Sequence, residues 1–161
     1  MRAGARFITR GIDDNSNVAN FVESELIIAY EDKLFSLNQI RGSIPLFWEQ
    51  KQKGLINHIS VKRSIDLSES VFRGHLNDMV KDYNRVLMIN LIRKKNPEAK
   101  LTNELQNHML NSGMKSVKHV WYDFHGETHG GHFYKVNELM AELKEVQSKF
   151  GFFVRERYGN E

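Results

Sequence analysis

The chain has 161 residues, a formal net charge of +3 and no cysteine. That length fits one domain with a substantial core, and no stretch approaches the roughly 20 apolar residues of a membrane span. Without cysteine, the sequence excludes disulfides, a Cys-ligated zinc site and a thiolate nucleophile within these residues. The mildly basic balance permits attraction to anionic lipid or nucleic acid without requiring either. The first four residues lack the apolar segment of a secretory signal, so we expect an intracellular protein.

Strand and helix signals alternate from residue 20 onward, and they begin with a hairpin. Residues 21–30 predict a strand, residues 31–33 a turn, and residues 34–40 an antiparallel return strand.

The segment after this hairpin is the most informative part of the chain. An ordinary strand would not hold Arg41, a glycine and a proline within its apolar run. An ordinary surface loop would not expose Leu46, Phe47 and Trp48 together. The segment therefore indicates a bend that leaves a sheet and holds one guanidinium at a fixed point. Arg41 suits a phosphate contact, because its planar fork donates two parallel hydrogen bonds. It suits equally well an ion pair that holds the turn, with Glu23, Glu25 or Glu49 as the partner.

The middle of the chain predicts a helix–strand–helix order. A helix with Ser68 as its N-cap runs to Tyr83. An apolar run over residues 86–92 then suits a strand covered on both faces. A second helix over residues 100–111 ends at Gly113 as a C-cap.

The remaining signals complete an alternating pattern. A strand over residues 117–124, a glycine-bearing loop over 125–131, a helix over 134–149 and a short strand over 151–154 follow in order. This order predicts an α/β fold with a mixed, largely parallel sheet flanked by helices. The last strand has no partner element after it, so we expect an incomplete part of a larger domain. The short basic run at residues 93–95 is typical of a solvated turn.

The loop after the strand at 117–124 has the composition of a metal site, since it holds His125, Glu127, His129 and His132. Imidazole and carboxylate groups bind divalent ions, but the spacing departs from the two-histidine helical motif of metalloproteases. Ligand sites in open α/β sheets lie beyond the carboxyl ends of strands, as this loop does. A polar wall of a substrate cleft is therefore favoured over a metal site, and no cofactor is expected.

Other anion-binding patterns are weak in this sequence. Arg2, Arg6 and Arg10 could face a polyanion, although a basic strand neutralised by Asp13 and Asp14 is favoured. Neither Gly-x-Gly-x-x-Gly nor Gly-x-x-x-x-Gly-Lys-Ser/Thr occurs. Aromatic and basic residues do not interleave as in single-strand nucleic-acid binders, so no nucleic-acid partner is expected.

Several blocks, taken in order, resemble signature segments of the Sac phosphoinositide phosphatase domain. They are residues 2–6, 10–14, 17–25, 39–50 and 122–125. The amino-acid sequences of residues 46–50 and 150–153 are most similar to those of the synaptojanin branch of that family.

The resemblance implies a phosphatase that removes phosphate from the inositol ring of membrane phosphoinositides. The family uses a Cys nucleophile in a Cys-x5-Arg loop, where the loop amides and Arg bind phosphate. Because this sequence contains no cysteine, we expect residues 1–161 to be a partial catalytic domain that is inactive alone. The family's amino-terminal subdomain and its nucleophile loop would lie outside it. The candidate substrate-binding residues that the resemblance implies are Arg41, Arg10, His125, Ser43, Asp123 and Asn20.

The partners that follow are a phosphoinositide headgroup at the cytosolic face of a membrane and the remainder of the Sac domain. The oligomeric state stays open. One alternative is a non-catalytic Sac-like module that binds an anionic membrane or a protein. The other is a metal-dependent hydrolase centred on the four loop residues named above.

Overall fold

A computed structural model describes residues 10–53 and 56–156, and within them strands and helices alternate after an initial pair of hairpins. The elements are β1 (Val22–Tyr30), β2 (Lys33–Arg41), β3 (Trp48–Lys53), β4 (Ile56–Val61), α1 (Ile65–Tyr83), β5 (Val86–Asn90), α2 (Glu98–Ser112), β6 (Val117–Trp121), α3 (Phe124–Glu127), α4 (Val136–Gln147) and β7 (Phe153–Glu156). Two short 3-10 helices, His129–Gly131 and Phe133–Lys135, lie between α3 and α4. No helix in these described ranges is long and apolar enough to cross a membrane.

The hydrophobic core lies where α1 and α2 meet the strands. Removal of apolar side chains from water stabilises this arrangement. The core residues are Leu46, Ile59, Phe72, Leu76, Leu101, Leu105 and Val117. They come from α1, α2, β4, β6 and the segment before β3, so the core ties both halves of the chain together.

A buried polar pair crosses this core. The Ser68 hydroxyl lies 2.7 Å from Nε2 of His108, while Nδ1 of His108 lies 2.9 Å from the Glu104 carbonyl oxygen. A carbonyl can only accept, so Nδ1 carries a hydrogen. The Ser68 hydroxyl lies within hydrogen-bond distance of both Nε2 of His108 and the Ser64 carbonyl oxygen. Each polar atom of this pair thus has a partner, as burial requires.

The predicted N-cap of the first helix is wrong by one turn. The helix begins at Ile65, after Ser64 with its extended backbone at φ −68° and ψ 166°. Ser68 lies inside the helix, and its hydroxyl is 2.7 Å from the Ser64 carbonyl oxygen. Two serines four residues apart both match a cap pattern, and Asp66 in the first turn favours the earlier start.

The prediction of a largely parallel sheet is wrong, although the mixed α/β class is confirmed. In the described part of the chain, β1, β2 and β7 form an antiparallel sheet, and β3 pairs antiparallel with β4. Only β5 and β6 pair in parallel. The reason is connection length, because the short connections between β1 and β2 and between β3 and β4 allow only antiparallel pairing. The long crossover through α2 permits the single parallel pair.

Other predicted elements are confirmed. The hairpin over residues 21–40 is present as β1 and β2, with Tyr30 opposite Lys33 at the turn. The second long helix ends at Gly113, whose φ of +60° is the left-handed conformation of a C-cap. The β3–β4 hairpin was not predicted.

We expect two leucines of α2 to respond very differently to substitution. Leu105 is 1% exposed in the core and Leu110 is 79% exposed on the same helix. Leu105→Ala should lower the free energy of unfolding by about 2–5 kcal/mol, because it leaves a cavity. Leu110→Ala should change it by less than about 0.5 kcal/mol. Urea unfolding followed by circular dichroism measures both, and equal losses would contradict this assignment of the core.

Candidate functional site

Three hydrogen bonds join the chain before β1 to the connection between β2 and β3. The Gly11 N–H donates to Ser43 Oγ at 2.8 Å. The Ile12 N–H donates to the Leu46 carbonyl oxygen at 3.0 Å, and the Ser43 N–H donates to the Ala19 carbonyl oxygen at 2.8 Å. These bonds hold two segments side by side that are more than 20 residues apart in sequence.

Gly11 is the position that permits this close approach. Its φ is +78°, a conformation that residues with a Cβ rarely adopt. A Cβ added there would lie 2.4 Å from the Leu46 carbonyl oxygen and 3.1 Å from the Trp48 ring. The contact between the two segments therefore needs a residue without a side chain.

A cleft of about 460 Å³ opens beside this junction. Its walls come from the junction itself, from β3 and β4, and from the start of α2. The lining residues are Arg10, Asn20, Arg41, Gly42, Ser43, Ile44, Trp48, Gln50, Ile59, Ile92, Glu98 and Leu101. Four of the six sequence-derived candidates, Arg10, Asn20, Arg41 and Ser43, thus line one cleft.

Arg41 ends β2 at the wall of this cleft, and its side chain is exposed. Its guanidinium makes no hydrogen bond or ion pair with another residue in the parts of the chain that the structure describes. The three carboxylates considered as partners have others. These are Asn38 and Tyr83 for Glu23, Ser36 for Glu25, and Lys51 and Lys62 for Glu49. The interpretation of Arg41 as one half of an ion pair that holds the turn therefore finds no support.

The charges that line the cleft favour an anion. Its lining residues include two arginines, Arg10 and Arg41, and one acidic residue, Glu98. Glu98 also accepts a hydrogen bond from the Arg93 N–H at 2.9 Å. Trp48 supplies an apolar wall, fixed by a 3.2 Å hydrogen bond from Nε1 to the Ile44 carbonyl oxygen. An amphipathic cleft of this kind suits a small ligand that carries phosphate.

Asp123 does not line the cleft and has a different role. It lies at the carboxyl end of β6 and accepts from the Lys94 N–H at 2.8 Å and from the Gly126 N–H at 2.7 Å. Burial alone would raise the pKa of Asp123, but these two hydrogen bonds outweigh it and hold that pKa below its ordinary value. Its carboxylate joins the loop after β5 to the start of α3.

The four residues of the proposed metal site do not converge. The rings of His125 and His129 lie 6.4 Å apart between centroids. Glu127 pairs with Lys135 at 3.2 Å, and His132 contacts the ring of Tyr134 instead. Within residues 10–53 and 56–156, no group of three or more His, Asp or Glu residues is arranged to hold a metal ion. His125 is exposed outside the cleft.

The residues predicted from the sequence and the residues that line the cleft are not the same set. Arg2 and Arg6 lie outside the described residues. Sequence reasoning did not identify Ile59 and Glu98 as cleft residues. No motif marks them, and they reach the cleft only through the β3–β4 hairpin and the N-terminal turn of α2.

Comparisons with known proteins give one consistent family. Residues 1–129 match the family model described as the SacI homology domain. Inositol-1,4,5-trisphosphate 5-phosphatase 1 of Schizosaccharomyces pombe is 34% identical over 161 residues, which cover 99% of this chain and 15% of that protein. Synaptojanin-1 of Homo sapiens is 35% identical over 94% of this chain and 10% of its own length. Phosphatidylinositol-3-phosphatase SAC1-B of Danio rerio is 30% identical over 99% of this chain and 27% of its own length. The chain thus spans between a tenth and about a quarter of these relatives.

We expect Gly11→Ala to disrupt the junction and the cleft. The added Cβ meets a carbonyl oxygen and forces an unfavourable φ, so the free energy of unfolding should fall by at least about 3 kcal/mol. Gly113→Ala is the matched control, since its φ is also positive but a Cβ there meets nothing within 4 Å. The control substitution should lower the free energy of unfolding by about 1 kcal/mol. Urea unfolding of both variants decides this, and equal costs would refute the close approach at Gly11.

We expect the stabilising effect of Asp123 to depend on pH. Because its pKa is lowered in the folded protein, its contribution is present above the unfolded pKa and is lost as pH falls through the folded pKa. Asp123→Asn should therefore destabilise the protein at pH 7, and the difference from the unsubstituted protein should shrink below about pH 4. Thermal unfolding across pH measures it. The exposed Asp82→Asn on α1 is the control, and a destabilisation by Asp123→Asn that is equal at neutral and acid pH would contradict the assignment.

Proposed function

We propose, since the chain belongs to the SacI homology domain family, that it forms part of a phosphatase that hydrolyses phosphate monoesters on the inositol ring of membrane phosphoinositides. In this proposal the 161 residues supply the cleft and contacts to the headgroup, and the nucleophile comes from outside them. The protein acts at the cytosolic face of a membrane as a peripheral component. The names of two of the relatives above describe phosphatases of inositol or phosphatidylinositol phosphates.

The arrangement of Arg41 carries this proposal. Arg41 lies on the wall of the cleft and makes no hydrogen bond or ion pair through its side chain with the described residues, while the carboxylates considered as its partners are occupied elsewhere. Arg10 lines the same cleft and adds a second positive charge. Two guanidiniums at one cleft match the charge of a phosphorylated inositol ring, which neutral walls would not bind.

The cleft offers no activated nucleophile of its own. Ser43 is the one hydroxyl side chain among the lining residues, and its Oγ accepts a hydrogen bond from the Gly11 N–H. In the described parts of the chain, no His, Lys or carboxylate contacts this Oγ to take up its proton. An attacking serine needs such a base. Ser43 therefore serves the structure of the cleft, and the absence of cysteine from the sequence fits a nucleophile supplied elsewhere.

A chimera tests the proposal. The chain replaces the aligned segment of the Schizosaccharomyces pombe relative, and phosphate release from phosphatidylinositol phosphates is measured. We expect the chimera to be active, the isolated chain to release none, and Arg41→Ala in the chimera to lose at least about 90% of the activity, as for loss of a charged hydrogen bond to the transition state.

Arg85→Ala is the matched control for charge. Arg85 is also exposed, but it precedes β5, whereas the cleft residue Ile92 follows that strand at its other end. The control should keep its activity, and thermal unfolding should show both variants folded. Undiminished turnover in the Arg41→Ala chimera, or robust phosphate release by the isolated chain, would overturn the proposal.

A further inference from the structure

A cluster of exposed aromatic and basic side chains lies beside the cleft and is not used by it. We name it the aromatic–basic patch. It consists of Arg93, Lys94, Lys95, Phe124, Phe133 and Tyr134. Phe133 is 63% exposed and Tyr134 is 62% exposed, which is unusual for neighbouring large aromatic residues.

The two halves of the patch are held together by specific contacts. The buried Asp123 carboxylate accepts from the Lys94 N–H at 2.8 Å and thereby joins the basic loop to the residue before Phe124. The rings of Phe124 and Phe133 lie 6.5 Å apart between centroids. The Lys94 ammonium lies 5.7 Å from the centroid of the Trp121 ring. The basic and aromatic residues therefore form one surface and not two separate loops.

We propose that the aromatic–basic patch docks the protein on an anionic lipid bilayer. Aromatic side chains at a protein edge insert at the level of the lipid headgroups, and tyrosine suits that depth because its ring is apolar and its hydroxyl is polar. Lysine and arginine beside them are attracted to the negative surface potential of the bilayer. The basic run at residues 93–95 is thus a membrane contact and not only a solvated turn.

Three acidic groups beside the patch have partners within the fold. Asp123 is buried, and both its hydrogen-bonded contacts lie within the fold. Glu127 pairs with Lys135 at 3.2 Å. Glu98 accepts from the Arg93 N–H and lines the cleft. The three cations of the patch make no ion pair with residues in the described ranges, so their charge faces solvent.

The patch is continuous with the cleft through one loop. Ile92 and Glu98 line the cleft, and the three basic residues lie between them in sequence. A bilayer that contacts the patch would therefore lie at the mouth of the cleft. The importance of a bilayer at the mouth of the cleft rests on the proposed function. Binding of the patch to lipid does not depend on that function.

A second exposed apolar surface exists, but it has no net positive charge that would attract an anionic bilayer. The sheet of β1, β2 and β7 exposes Phe152 and Phe153, which are 63% and 65% exposed. Glu25 lies with these two residues around one shallow depression. The strands of this sheet carry three carboxylates and three cations, which are Glu23, Glu25, Glu156, Lys33, Arg41 and Arg155. They offer no net attraction to anionic lipid, so this surface serves as the comparison and not as the docking site.

Vesicle co-sedimentation of the whole chain tests the proposal. The vesicles contain phosphatidylcholine with a minor fraction of phosphatidylserine and no phosphoinositide, at low ionic strength. We expect binding that weakens with added salt and is much weaker on phosphatidylcholine alone. Joint replacement of Lys94→Gln and Lys95→Gln should lower the affinity about 25-fold, since each cation contributes about fivefold. Joint Phe133→Ser and Tyr134→Ser should lower it about tenfold or more.

Joint Phe152→Ser and Phe153→Ser is the matched control, because it removes two aromatic residues of equal exposure from the sheet. It should leave lipid binding unchanged. Phe133→Trp adds a direct probe, whose emission should shift to the blue and be quenched by brominated acyl chains. No binding at low salt, equal loss in the control pair, or no shift in the Phe133→Trp protein would each overturn the proposal.

The two proposals fail separately. Vesicle binding through the patch combined with full activity of the Arg41→Ala chimera would refute the proposed function alone. Loss of activity in that chimera with no vesicle binding by the chain would refute the docking surface alone.

Discussion

The hydrogen bond from the Gly11 N–H to Ser43 Oγ joins residues 32 positions apart, and the cleft exists because of it. It places the end of the segment that carries Arg10 against the connection that carries Arg41. Backbone hydrogen bonds and the absence of a side chain at Gly11 hold these two segments together. The fold therefore brings both arginines to the wall of one cleft.

Local signals predicted the elements well and their assembly poorly. The β1–β2 hairpin and the end of α2 at Gly113 follow from alternation and from glycine chemistry within a few residues. The direction of strand pairing depends on which strands become neighbours, and no local pattern carries that information. The β3–β4 hairpin was missed because Trp48–Lys53 contains two lysines and two glutamines, which do not show a strand's usual composition.

For the candidate site, too, the sequence indicated individual residues better than the way they are assembled. Family resemblance selected Arg10, Asn20, Arg41 and Ser43, and the fold brings these four to one cleft. It could not separate contact residues from structural ones. Ser43 holds Gly11 through its hydroxyl, and the carboxylate of Asp123 holds two loops, so both have internal structural roles. Such roles depend on which backbone N–H groups lie nearby, and only three-dimensional placement reveals that.

The loop between β5 and α2 links the cleft to the aromatic–basic patch, and its anchoring explains how one short segment can serve both. Asp123 fixes the Lys94 backbone and Glu98 fixes the Arg93 backbone, so the main chain is held while the basic side chains stay free to reach lipid. A loop without these two anchors would lose conformational entropy on contact with a bilayer, and that loss would weaken binding. With the anchors in place, much of that ordering is already present in the folded chain. Attraction of the cations to the surface then contributes more fully to docking, while Ile92 and Glu98 keep their places in the cleft wall.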